Sequence, residues 1–180
     1  MADGTETEYL QAKQRALLAL GLSDQTRLPS NREIKQIVGQ LVKAELGETE
    51  VSRRLHEMRT IALELMILLE PYDPFLIGST LSGQIRTGSD IDLHAYCDDY
   101  EEMKSALSEY GYDDVEEEIV QNQKGDFCHL KWQENGYPVE ITIYPWSWRD
   151  VVMRSSVTGK AMKRANAESV RQLLARSSPA

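Results

Sequence analysis

The sequence predicts an α+β fold, on three observations. Up to about residue 70 the apolar residues recur at helical spacing. Beyond about residue 75 they alternate strictly with polar ones, as strands with a single buried face require. The dipeptide Asn135-Gly136, lying between Phe127–Trp132 and Tyr137–Tyr144, is the turn that a two-residue hairpin favours.

Each element follows from local signals. Thr5 and Glu8 read as a capping box ahead of a helix bearing Tyr9, Leu10, Ala16, Leu17 and Leu20, stopped by Gly21. After a polar loop to Pro29, Ser30 and Glu33 form a second capping box before Ile34, Ile37, Val38, Leu41 and Val42, and Gly47 ends that helix. A third helix carries Val51, Leu55, Met58, Ile61, Ala62, Leu65, Met66 and Leu69 and ends at Pro71. Leu76 and Ile77 close a buried strand, and Asp90 to Cys97 form another. Asp98 with Glu101 is expected to cap a helix bearing Tyr100, Met103 and Leu107. From Asp98 to Asp126 eleven acids face only Lys104 and Lys124, which reads as a solvated edge. In the hairpin, His129 and Lys131 lie opposite Cys128, Leu130 and Trp132, while Trp146 and Trp148 read more simply as packing residues than as a base platform. From Arg149 to Arg176 seven basic residues stand against Asp150 and Glu168, with Thr158-Gly159-Lys160 and Lys163-Arg164 near an expected helix start, and residues 177–180 fray. The expected organisation is an N-terminal helical segment (1–71), a core (72–148) and a basic C-terminal helical arm (149–180).

Composition narrows the function classes. The chain has 180 residues and a formal net charge of −9, which disfavours a nucleic-acid footprint because neutralising phosphates needs a basic surface. No stretch approaches the ~20 apolar residues of a membrane span and the N-terminus lacks a basic-then-apolar signal, so a cytoplasmic protein is expected. Cys97 and Cys128 fall on apolar strand sides and read as reduced core residues.

The chemistry concentrates in one unit. Leu76-Ile77 runs into Gly78-Ser79, where a missing Cβ and a hydroxyl suit close approach of a phosphate. Ten residues later comes Asp90-Ile91-Asp92-Leu93-His94-Ala95-Tyr96-Cys97, whose alternation sends Asp90, Asp92, His94 and Tyr96 to one face. Paired carboxylates on one face repel and call for a divalent cation, with Mg²⁺ the natural choice. A third acid, Glu140, alternates with Val139 and Ile141 in another strand. Acid-x-acid triplets also arise by chance in so acidic a chain, as at Glu6-Thr7-Glu8 and Glu48-Thr49-Glu50. The conjunction of strand, Gly-Ser, fixed gap, DxD and third acid is what distinguishes this one.

Ile77-Gly78-Ser79 followed by Asp90-Ile91-Asp92, with Glu140 in the third carboxylate's place, resembles the signature of the DNA polymerase β-like nucleotidyltransferase superfamily over residues 72–145. The resemblance implies a nucleotidyltransferase-type mixed β-sheet flanked by helices and two Mg²⁺ ions, with Mn²⁺ as a substitute. It also implies a nucleoside triphosphate donor, ATP as first choice, and transfer of a nucleoside monophosphate to a hydroxyl of a small molecule, protein or RNA end. Asp90, Asp92 and Glu140 would be the metal-binding and catalytic acids, and Gly78 and Ser79 the triphosphate cradle. Independently of the resemblance, the charge of the basic arm suits either phosphate contacts through Lys160 and Lys163 or an ordinary surface helix opposite an acidic body. Most members carry Asp as the third acid, so Glu140 departs from the pattern. The alternative is a non-catalytic nucleotide-binding or antitoxin-like module on the same fold.

Overall fold

The computed structural model describes residues 4–23, 25–122, 125–154 and 160–176. The chain divides into two units, residues 1–41 with 152–162 and residues 42–151 with 163–180.

In the first unit lie α1 (Gly4–Ala19) and most of α2 (Asn31–Leu46). The Ser30/Glu33 capping box forms reciprocally: Ser30 N–H donates to Glu33 Oε2 at 2.7 Å and Glu33 N–H to Ser30 Oγ at 3.2 Å. Because α1 already starts at Gly4, Thr5 lies inside the helix, and the Thr5 and Glu8 side chains fall outside the described residues. Thr158, Gly159 and Lys124 are also outside them. Arg154 and Ala161 form an antiparallel bridge.

The second unit holds a five-stranded mixed sheet: β1 (Phe75–Leu76), β2 (Ile91–Tyr96), β3 (Glu116–Asn122), β4 (Gly125–Glu134) and β5 (Tyr137–Tyr144), in the order β1-β2-β5-β4-β3. The helices α3 (Glu48–Leu68), α4 (Gly78–Ser82), α5 (Tyr100–Glu109) and α6 (Ala167–Arg176) flank it, which is the α+β, mixed-sheet architecture expected. Among the described residues only β2 and β5 pair in parallel. One sheet face is apolar, with Leu130, Ile91 and Ile141 fully buried and Leu93 and Val139 nearly so. Tyr137, on that face by alternation, donates its hydroxyl to Glu57 Oε2 of α3 at 2.7 Å, so α3 covers this side. The α3 stripe of Met58, Ile61, Ala62, Leu65 and Met66 is buried as its spacing predicts, and it joins the sheet, in contact with β2 and α6. The helices expected as one N-terminal segment are therefore divided between the two units.

Asn135 (φ 50°) and Gly136 (φ 81°) both adopt left-handed backbone, the type I′ turn that the dipeptide encodes. The turn pairs Glu134 with Tyr137, which places Lys131 opposite Glu140 and His129 opposite Thr142. Three expectations shift. The acidic run includes an unforeseen strand, β3, at the sheet edge, where its charges discourage further pairing. The cap of α5 is Asp99, accepting from Glu101 N–H at 3.0 Å, whereas Asp98 accepts from Trp146 N–H at 3.1 Å. The last helix starts at Ala167, beyond Lys163-Arg164, because Ala165 exchanges two 2.9 Å hydrogen bonds with Leu76 and Asn166 caps through Ser169 N–H. Both cysteines are buried free thiols, and burial pushes Cys128 up to about 11. No helix among the described residues is long and apolar enough to cross a membrane.

An added Cβ at Gly136 would meet nothing within 4 Å, so its cost is conformational alone. Gly136→Ala is expected to destabilise by about 1–2 kcal/mol, the penalty for left-handed backbone in an L-residue. A urea midpoint equal to the parent's would contradict the turn assignment.

Candidate functional site

The Gly-Ser turn is built against the first acidic strand. Ile77 N–H donates to Asp92 O at 3.0 Å, and Gly78 turns with φ +70°. A Cβ on Gly78 would stand 2.1 Å from Asp92 Oδ2. The glycine is thus demanded by the Asp92 carboxylate, which fills on that side the space the sequence reading reserves for a phosphate. The helix starts at Gly78, two residues before the Thr80 expected, and includes Ser79 in its first turn. Thr80 is fully buried and donates its hydroxyl to Asp90 O at 2.9 Å. Arg59 of α3, also buried, donates through Nε to Thr80 O and through a terminal nitrogen to Leu81 O, each at 3.1 Å, and burial lowers its pKa. The α4 turn is therefore anchored on one side to α3 and on the other to the backbone of Asp90.

The strand register gathers the remaining groups on the polar sheet face. Asp92, Glu140, Lys131 and Glu116 stand abreast on β2, β5, β4 and β3, with His94, Thr142, His129 and Glu118 abreast in the next row. Asp92 and Glu140 are thus direct lateral neighbours across parallel strands about 4.8 Å apart. Asp90 immediately precedes β2, which starts at Ile91, and its carbonyl accepts the Thr80 hydroxyl. It borders, with Glu140, Glu116, Lys131, Trp132 and Tyr112, a groove of about 810 Å³ at the end of the sheet.

Glu140 is held on both oxygens by β4. His129 Nδ1–H donates to Oε1 at 2.7 Å, and Lys131 Nζ lies 3.4 Å from Oε2 while reaching Glu118 Oε2 on β3 at 2.5 Å. The His129 hydrogen bond is the main cause holding the Glu140 carboxyl below its usual range, against an opposing effect of burial. His94 is buried, its ring edge-on to Tyr144 at 4.9 Å, and burial pulls it down to about 4. The sequence pattern put His129 and Lys131 on this face without assigning them to Glu140. The hairpin register was the available signal, whereas nothing in the sequence marks Arg59.

The carboxylate oxygens of Asp90, Asp92 and Glu140 are the hard donors that Mg²⁺ prefers, and in donor type they fit that ion. Among the described residues, however, no three His, Cys, Asp or Glu side chains cluster as a ready metal site. Lys160 belongs to the first unit. Lys163, exposed, stands two residues before Ala165, the bridge partner of Leu76. Arg164 is structural: it donates to the Tyr96 hydroxyl at 2.7 Å and to Arg149 O, with its guanidinium 4.6 Å over the Phe75 ring. Trp148 packs on Phe127 and Tyr144, and Trp146 stacks on Tyr96.

No protein-family model and no curated protein matches the sequence. Solved structures with some likeness include the Cid1 poly(U) polymerase, at TM-score 0.40 and 17% identity over 63% of this chain and 37% of that one. Cid1 in complex with the UTP analog UMPNPP gives 0.39 and 19% over 63% and 37%. A cytoplasmic RNA terminal U-transferase gives 0.37 and 19% over 63% and 34%. The chain spans little more than a third of the length of these proteins.

Two outcomes are expected here. Gly78→Ala should collide with the Asp92 carboxylate and lower the urea midpoint, and a midpoint equal to the parent's would show that the contact is dispensable. His94 is depressed in the folded state relative to an unfolded value near 6.5, so the unfolded chain binds the extra proton. Its contribution is full above about pH 6.5 and is lost as pH falls toward 4, on the order of 3 kcal/mol at ~1.4 kcal/mol per unit. Urea midpoints between pH 7 and 4 in metal-free buffer should fall more steeply for the parent than for His94→Gln.

Proposed function

We propose that this chain is a Mg²⁺-dependent nucleotidyltransferase of the DNA polymerase β-like type, moving a nucleoside monophosphate from a nucleoside triphosphate to a hydroxyl acceptor. The observation that carries this reading is the packing of Gly78 directly against the Asp92 carboxylate, which is itself in register with Glu140. Gly78 and Glu140, 62 positions apart in the sequence, both lie beside Asp92.

In this reading Asp90 and Asp92 hold the cation, and Gly78 and Ser79 bind the triphosphate through backbone N–H groups and the serine hydroxyl. Lys163 supplies a positive charge for its outer phosphates. A cation held by Asp90 and Asp92 would neutralise the triphosphate and polarise the α-phosphate toward attack. The acceptor oxygen bonds to the α-phosphorus, the bond to the β-phosphate breaks, and pyrophosphate leaves. Glu140, kept ionised by His129, takes the acceptor's proton. The groove bordered by Asp90 and Glu140 is the place for the acceptor.

Incubation with each nucleoside triphosphate and Mg²⁺ or Mn²⁺, followed by mass spectrometry, should reveal pyrophosphate and a nucleoside monophosphate adduct. Asp92→Asn should abolish metal-dependent triphosphate binding while leaving the urea midpoint unchanged or higher, since one repelling charge is gone. Glu140→Gln should lower turnover by about 10²- to 10⁴-fold with the nucleotide dissociation constant unchanged, the pattern of an interaction realised in the transition state. Triphosphate binding without turnover in the parent protein would instead favour a non-catalytic nucleotide-binding module.

A further inference from the structure

We propose that His129 is a positioning residue for Glu140, and that a His129–Glu140–Lys131 clamp across β4 and β5 is the reason this chain works with a glutamate at its third acidic position. The inference rests on the nucleotidyl-transfer reading and adds to it a residue outside the three acids and the Gly-Ser turn.

The register dictates the geometry. Lys131 is directly opposite Glu140, and His129 is diagonal to it, two residues along the same strand and on the same face. Each grips a different carboxylate oxygen, at 3.4 Å and 2.7 Å. Lys131 is braced in turn by Glu118 on β3, so the chain of contacts runs over three strands. Both partners lie on the β4 side of β5, whereas Asp92 lies on the β2 side. The clamp therefore draws the Glu140 carboxylate toward β4 and away from its lateral neighbour Asp92, whose like charge would repel it. The side chain has one methylene more than aspartate, and that length lets a carboxylate rooted on β5 reach a neighbouring strand's imidazole. With both oxygens fixed, the carboxylate is presented to the groove it borders in one orientation. His129 is half-buried at 19% side-chain exposure, so its ring is confined as well.

The test exploits the difference between the two ring nitrogens. Asparagine places an amide N–H where histidine has Nδ1, whereas glutamine places it where histidine has Nε2. His129→Asn is therefore expected to keep pyrophosphate formation near the parent's, and His129→Gln and His129→Ala to lower kcat by about 10- to 100-fold, the range for losing a group that orients a functional side chain. The KM for the triphosphate should not move in any of them. In a Glu140→Gln background, adding His129→Gln should change nothing further, because the oriented charge is already absent. Thermal melts establish that each variant is folded, and if the alanine variant does not fold, the Asn/Gln contrast decides. Equal kcat in the Asn and Gln variants, a KM that rises in step with the loss, or additive effects in the double variant would each overturn the clamp while leaving the transferase reading intact. A parent protein that forms no pyrophosphate from any nucleoside triphosphate would overturn both.

Discussion

The parallel pairing of β2 with β5 is the constraint on which the rest of the second unit depends. It is the only parallel contact among the described residues, and its six paired positions include Ile91, Leu93, Ile141 and Ile143, all buried. A one-residue slip would turn these apolar side chains to the polar face, so burial fixes the register tightly. The same register seats Asp92 beside Glu140 and His94 beside Thr142. Acidic chemistry on one face is thus secured by hydrophobic packing on the other.

That arrangement concentrates charge, and different elements meet the two acids. Backbone and glycine accommodate Asp92: the Gly78 turn yields the volume beside its carboxylate, and Ile77 N–H bonds to its carbonyl. Basic side chains accommodate Glu140, with His129 and Lys131 meeting one oxygen each. The Glu140 carboxylate is therefore met from β4, and the Asp92 carboxylate packs against the α4 turn. Arg59 completes the support from beneath by donating to the carbonyls of Thr80 and Leu81, which ties α3 to the turn that meets the acids.

Much of this was legible in the chain because it is local. The Ser30/Glu33 capping box and the Asn135-Gly136 turn depend on residues within a few positions of one another, and both form as their chemistry predicts. Given the two-residue turn, the opposition of Lys131 to Glu140 is a matter of counting outward from Glu134 and Tyr137. The edge strand β3 was harder to see. Its Glu116, Glu117 and Glu118 disguise a strand as a solvated loop, since charge at an edge protects the ladder without the alternation that marks a buried face.

The sequence by itself determined the periodicities, the caps, the hairpin and the Gly-Ser and DxD spacing, all set by steric and hydrogen-bonding preferences that act within a few residues. Only the tertiary structure decided that β2 lies parallel to β5, that Asp92 fills the space a Cβ on Gly78 would need, and that His129 answers Glu140. Those contacts join segments up to dozens of residues apart, and they are selected by which packing buries the apolar face of the sheet, a property of the whole unit that no local pattern encodes.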